Sequence, residues 1–250
     1  MRWQARRRAM LEAMGLRLWE VSAPRRRDGD TVATSDTAPS SALAGTSSDS
    51  LPDVSAMDWP ALRTAVTSCR ACTLCESRTQ TVFGCGNPQA HWMIVGEAPG
   101  EKEDQLGEPF VGKSGQLLDA MLHALHLTRQ TAAPAQQVYI ANTLKCRPPG
   151  NRNPEPGELA RCEPFLVRQL ELVRPRVILA MGRFAVQALL RSPEPIGRLR
   201  GRVHRYHDVP LVVTYHPAYL LRNPPDKARA WDDLCLACSV LRAHGSSQRN

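Results

Sequence analysis

A chain of 250 residues with 42% hydrophobic content can bury one good core, so one domain with appendages is expected. No apolar run reaches membrane-spanning length, and the Arg-rich start lacks the uninterrupted apolar stretch of a secretory signal, so a soluble, intracellular protein is expected. The eight cysteines of an intracellular protein are then expected as ligands or core residues rather than disulfides. The net charge of +8 is unevenly spread: residues 1–27 hold eight Arg and two Glu, and residues 28–58 hold six Asp without a basic residue. The remainder is itself basic, as suits a partner made of phosphates.

In chain order, residues 1–20 form a short basic arm in which Trp3, Leu11, Met14, Leu16 and Trp19 punctuate an Arg-rich stretch. Such an arm is too small to fold alone. Residues 21–57 are mostly Ser, Thr, Ala, Asp, Gly and Pro, and cannot offset their ordering entropy, so a disordered acidic linker is expected. From 58 to 242 apolar runs alternate with helical spacing, and 243–250 reads as a disordered tail. Trp92–Val95, Val138–Ala141, Val177–Met181 and Leu211–Thr214 are the strand candidates. Leu117 to Leu125, Phe184 to Leu190 and Trp231 to Leu241 carry helical periodicity. Continuous apolar strands separated by helices indicate an α/β fold of three layers, with a central four-stranded parallel sheet and helices on both faces.

In such sheets ligands bind beyond the carboxyl ends of the strands. There the sequence places Gly96-Glu97-Ala98-Pro99-Gly100, then Asn142, then Gly182, then His216-Pro217. A carboxylate, an amide and an imidazole thus converge on one edge. The cysteines form a second constellation: Cys69-x2-Cys72, Cys146 beyond the second strand, and Cys162 sixteen positions later. Four thiolates suit either zinc or an iron–sulfur cluster, which spacing does not separate. Cys75 is an alternative ligand and Cys85 a nearby spare, whereas Cys235 and Cys238 are expected to be buried in a helix.

These residues resemble the family-four, iron–sulfur uracil-DNA glycosylases. The matching stretches are Cys69-Arg-Ala-Cys-Thr-Leu74, Arg78-Thr-Gln-Thr-Val-Phe-Gly84, Met93 to Asp104 and Gly107 to Gln116. They continue with Tyr139 to Pro149, Asn151-Arg-Asn-Pro154 and His216-Pro-Ala-Tyr-Leu-Leu-Arg222. The resemblance implies a [4Fe–4S] cluster beside the core on Cys69, Cys72, Cys146 and Cys162. It implies that Phe110 stacks on a flipped uracil, that Asn142 reads its edge, and that Glu103 crowds C5 against thymine. His216 lies near O2, and Leu220 or Leu221 fills the gap left by the flipped base. Where better-studied relatives carry a water-orienting Asp, this sequence has Ala98, so the water is expected on Glu97, Glu103 or a backbone carbonyl, with Glu97 favoured. Gly96 and Ala98 are expected in the base pocket, and Lys113, Ser114 and Arg222 on the DNA.

The expected activity is hydrolysis of the uracil N-glycosidic bond by a monomeric DNA repair enzyme, cytoplasmic and nucleoid-associated in a bacterium. The competing readings are a non-catalytic zinc-stabilised nucleic-acid module and a glycosylase of broader deaminated-base specificity. Residues 6–19 faintly resemble the N-terminal segment of the psi subunit of the bacterial clamp loader. The arm is expected to fold back onto the core or to add phosphate contacts through its Arg residues, with docking to a replication protein as the alternative.

Overall fold

The computed structural model describes residues 53–247. The basic arm, nearly all of the acidic linker and the last three residues of the chain lie outside the described residues. The described chain runs α1 (Trp59–Ser68), α2 (Leu74–Ser77), β1 (Cys85–Gly86), β2 (Trp92–Gly96), α3 (Glu101–Leu106), α4 (Lys113–Ala124) and β3 (Val138–Asn142). It continues with α5 (Pro156–Val173), β4 (Val177–Met181), α6 (Arg183–Leu190), α7 (Ile196–Leu199), β5 (Val203–Tyr206), β6 (Val209–Thr214), α8 (Pro217–Arg222) and α9 (Lys227–Ser247). Val54, inside the stretch expected as linker, is buried with Leu62, Val66, Phe83 and Phe165, so packed structure begins ahead of α1.

All four expected strands are present, but the sheet has six, in the order β1-β3-β2-β4-β6-β5. The expected parallel set β3-β2-β4-β6 forms its centre. An antiparallel strand is added at each edge, which corrects the four-stranded expectation. β1 is two residues long, and most of β5 is exposed or half-buried, so neither carries an apolar run that sequence patterning could detect. β5 and β6 join through His207 and Asp208, both at positive φ as a tight hairpin requires.

Side chains alternate across the central strands. Met93, Val95, Ile178, Ala180, Leu211 and Val213 face one way, against Leu166 and Leu170 of α5 and Ala185, Val186 and Leu189 of α6. Trp92, Ile94, Val138, Leu179, Met181 and Val212 face the other way, against Leu118 and Leu122 of α4 and Leu234 and Ala237 of α9. Each such side chain contributes about 1.5–3 kcal/mol when fully buried, so both faces anchor the sheet. The burial expected of Cys235 is not observed: α9 turns that residue to solvent, and Cys238 is half-buried. Leu234 and Ala237 are the α9 residues buried against the sheet, with Cys238 and Leu241 packed partly beside them.

The strand order creates the site. From β2 the chain crosses to β3 on one side, then returns to β4 on the other. Loops leaving neighbouring strands diverge there and open a crevice beyond their carboxyl ends.

Candidate active site

Gly96 closes β2 and pairs in register with Asn142, the last residue of β3. The following loop is sewn down through Glu97, whose carbonyl accepts from Leu144 N (3.1 Å) and Thr143 Oγ1 (2.6 Å). Glycine at 96 is a steric requirement: a Cβ there would lie 2.4 Å from Asn142 Oδ1 and 2.7 Å from Phe110 Cζ. Phe110 is buried at φ 56°, an uncommon conformation for a bulky side chain. Gly115 permits it, since a Cβ there would meet the Phe110 carbonyl oxygen at 1.7 Å. Glu103 fastens the same loop, its Oε1 accepting from Val111 N (2.9 Å) and Gly112 N (3.1 Å).

These elements wall a cleft of about 730 Å³. Glu97, Ala98, Glu103, Phe110, Ser114, Asn142, His216 and Arg222 all line it. The Phe110 and His216 rings stack, with centroids 5.4 Å apart and planes inclined by 29°. Asn142 is buried, and its Oδ1 has no hydrogen-bond partner. An orphaned acceptor facing a cleft is a costly arrangement that a ligand donor would relieve.

Two titratable groups in the cleft are pushed apart. Burial drives the His216 imidazole down to about 4, assisted by Arg222 and opposed by Glu103, so the ring is neutral near pH 7. Its Nδ1 accepts from Ala218 N at 3.2 Å, which puts the single ring proton on Nε2. Burial raises the Glu97 carboxyl to about 7, against the pull of Arg183. The cleft thus holds a neutral donor and a carboxylate that titrates near neutrality.

Cys69, Cys72, Cys146 and Cys162 line a second, small pocket, with Cys75 beside them and Val66, Leu74, Leu144 and Phe165 as apolar wall. They converge from the end of α1, the turn before α2, the segment beyond β3 and the interior of α5. None of the eight cysteines is in a disulfide. Arg78 Nη1 donates to Cys146 Sγ (3.0 Å) and Lys145 N donates to Cys162 Sγ (3.3 Å). Arg78 Nη2 also holds the Cys69 carbonyl (2.7 Å). Burial pushes the Cys162 thiol up to about 12 and raises the Cys72 and Cys146 thiols as well, so these three are protonated until a cation draws off the charge. Among the described residues, no three of His, Cys, Asp and Glu are grouped so as to hold a single metal ion.

The family model described as the uracil DNA glycosylase superfamily matches residues 83–235. A Type-4 uracil-DNA glycosylase of Archaeoglobus fulgidus is 44% identical over 167 residues, which span 64% of this chain and 81% of the relative. The Type-4 enzyme of Thermotoga maritima is 39% identical over 184 residues, 72% of this chain and 93% of its own length. A Type-5 uracil-DNA glycosylase of Pyrobaculum aerophilum is more distant, at 33% over 149 residues. The chain belongs to the uracil-DNA glycosylase superfamily.

Within this glycosylase the residues expected at the base pocket are brought together, but the expected DNA contacts divide. Ser114 and Arg222 line the cleft, while Lys113 is exposed at the start of α4 and lies outside its lining. Leu220 is 1% exposed and Leu221 is 42% exposed, so only Leu221 of that pair presents its side chain to solvent. Leu220 is packed into the core, because α8 turns it inward. Sequence reasoning passed over Arg183, Phe184, Tyr215 and Tyr219, which also line the cleft. The signal was available, since Tyr215 directly follows β6 and Arg183 follows β4 after Gly182 alone.

Proposed function

We propose that this glycosylase extrudes uracil from DNA and hydrolyses its N-glycosidic bond, leaving an abasic site for base excision repair. The observation that carries the reading is the orphaned, buried Oδ1 of Asn142 beside the Phe110 ring. Uracil N3–H is the donor this acceptor lacks, and the Asn142 Nδ2 donates to O4. Cytosine presents the opposite pattern at both atoms. Stacking on Phe110 is blind to base identity, so the amide carries the discrimination. Glu103, with one oxygen tied to Val111 and Gly112, fixes the Phe110 loop and crowds C5 against a methyl group.

As the bond from C1′ to N1 breaks, its electron pair passes to uracil and a cationic sugar develops. The neutral His216 donates from Nε2 toward O2, where the negative charge grows. Glu97 as carboxylate takes a proton from the water that attacks C1′, and the departing uracil is protonated from solvent. Its position at the end of β2 and its raised pKa support this role in place of the aspartate absent at Ala98. Gly96 supplies the clearance that lets Asn142 and Phe110 meet the base. Arg222, Ser114 and Leu221 are assigned to the DNA flanking the site.

For the four thiols we propose a [4Fe–4S] cluster, held by Cys69, Cys72, Cys146 and Cys162 and structural in role. The donor set, the apolar wall and the N–H donors to sulfur support it. A cubane spreads its ligands over four irons, whereas zinc draws four sulfurs to about 2.3 Å from one centre. For the arm, residues 1–20, we retain docking to a replication protein, a reading supported by its sequence pattern alone.

Single-turnover cleavage of oligonucleotides carrying U, T, hypoxanthine or xanthine at one position tests the function. Release of uracil alone is expected. Comparable release of hypoxanthine establishes the broader specificity, and no release of any base overturns the reading.

A further inference from the structure

Part of the cleft serves no atom of uracil. Tyr215 follows β6 directly and Tyr219 lies one helical turn further on in α8, so both rings fall on one face. They stack with centroids 5.0 Å apart and planes inclined by 23°. His216, the donor to uracil O2, stands between them in the chain, so the pair adjoins the base pocket. Both tyrosines line the cleft with Phe184, Arg183 and Arg222.

The pair is braced from outside the cleft. Tyr219 Oη donates to Asp226 Oδ2 at 2.7 Å, and Asp226 in turn accepts from Arg229 Nη1 at 3.1 Å. The Arg200 guanidinium lies 5.3 Å from the Tyr215 centroid. Rings held in this way lose little freedom when a flat ligand settles on them. The two exposed guanidiniums of Arg183 and Arg222 give the same part of the cleft a phosphate-binding character. Leu220, in contrast, is packed into the core and has no side-chain surface to offer a neighbouring base.

We propose that the Tyr215–Tyr219 pair is a stacking platform for the nucleobase adjacent to uracil on the same strand. The site accepts any of the four bases, because stacking uses only the π-face. The flanking phosphates fall to Arg183 and Arg222. This inference rests on the uracil-excision reading and deepens it: the enzyme grips a dinucleotide unit, and single-stranded DNA satisfies it.

The test uses the full chain and single-stranded oligonucleotides with one central uracil. In two of them a tetrahydrofuran abasic unit replaces the base on the 5′ or the 3′ side. Wild-type enzyme is expected to lose roughly tenfold in kcat/KM on one of these two substrates. Tyr219→Leu loses the same factor on the intact strand and nothing further on the abasic-flanked one, whereas Tyr219→Phe keeps both the activity and the penalty. Tyr215→Leu, which leaves α8 unaltered, repeats the measurement should Tyr219→Leu fail to fold.

Wild-type indifference to both abasic flanks overturns the platform, as does a full penalty persisting in Tyr219→Leu and Tyr215→Leu. A penalty that arises only in duplex and follows the opposite strand also overturns it. Absence of uracil release from every substrate refutes the excision reading itself, which is a different result.

Discussion

The cleft and the thiol pocket both descend from the segment that leaves β3, yet they use polar groups in opposite ways. Asn142 turns an unpartnered oxygen to the cleft. Three residues later, Lys145 is fully buried with its ammonium on the Asn142 carbonyl (2.9 Å) and Gln169 Oε1 (2.6 Å). Gln169 completes that network by donating to the Phe83 carbonyl (2.8 Å) and Tyr139 Oη (3.0 Å). Cys146, the next residue, accepts from Arg78 within an apolar wall. The difference separates a surface prepared for a ligand from an interior that must be complete before the ligand arrives. An unsatisfied group is tolerated where a substrate supplies the partner, whereas the polar groups around Lys145 are closed.

The comparison breaks most visibly on the thiol side. Cys146→Ser or Cys162→Ser is expected to abolish broad visible absorption and cooperative thermal unfolding together, because cluster binding and folding are coupled. Cys235→Ala, on the exposed face of α9, leaves both unchanged. Absorption and calorimetry of the purified variants decide it. A bleached Cys75→Ser with an unaltered Cys69→Ser would move the fourth ligand to Cys75, which lines the same pocket.

On the cleft side the losses fall on rate rather than folding. His216→Ala is expected to lower the single-turnover rate by about 10²–10³, the usual cost of one charge-stabilising donor. Affinity for uracil-containing DNA falls much less, since the donor acts on charge that exists only as the bond breaks. An equal loss of affinity and rate would give His216 a positioning role instead.

Asn142→Asp comes next, with roughly a ten- to hundredfold loss, because a carboxylate cannot donate to O4 unless protonated. Its thermal stability should fall near pH 7 and recover at low pH, since the substitution puts a carboxylate in place of a buried amide. Gln169→Leu acts on a closed network. It leaves the Lys145 ammonium with the Asn142 carbonyl alone and lowers stability by about 1.5–3 kcal/mol. Denaturant unfolding of the two variants side by side sharpens the contrast between open and closed polar groups.

Legibility in the sequence follows the same division. The four central strands could be read because burial on both faces writes them as unbroken apolar runs, Val177–Met181 being the clearest. Glu97, Asn142 and His216 were legible because a parallel sheet fixes where its ligands bind. α5 was not singled out, as Pro164 and its many charged residues interrupt the helical pattern. Leu220 and Leu221 looked equivalent in sequence, and only the rotation of α8 separates them. The Tyr215–Tyr219 pair escaped because a tyrosine bears no chemical signature until its ring is seen against a cleft.

The smallest effect is a pH dependence, and it bears on which group takes the proton from water. The Glu97 carboxyl is raised to about 7 chiefly by burial, so its folded pKa lies well above the ordinary 4.5. If the carboxylate is the reacting form, activity is absent at low pH, rises through about 7 and levels off above it. His216, lowered to about 4, stays neutral across that range and adds no second limb. The single-turnover rate should therefore fall by about fivefold between pH 7 and pH 6, and by about tenfold more at pH 5. Glu97→Gln cannot titrate, so its slower rate should be flat from pH 5 to pH 8. Arg183 opposes the shift, and Arg183→Ala should move the wild-type midpoint upward. A midpoint that ignores both substitutions would take the proton-accepting role away from Glu97 and leave the water to a backbone carbonyl or to Glu103.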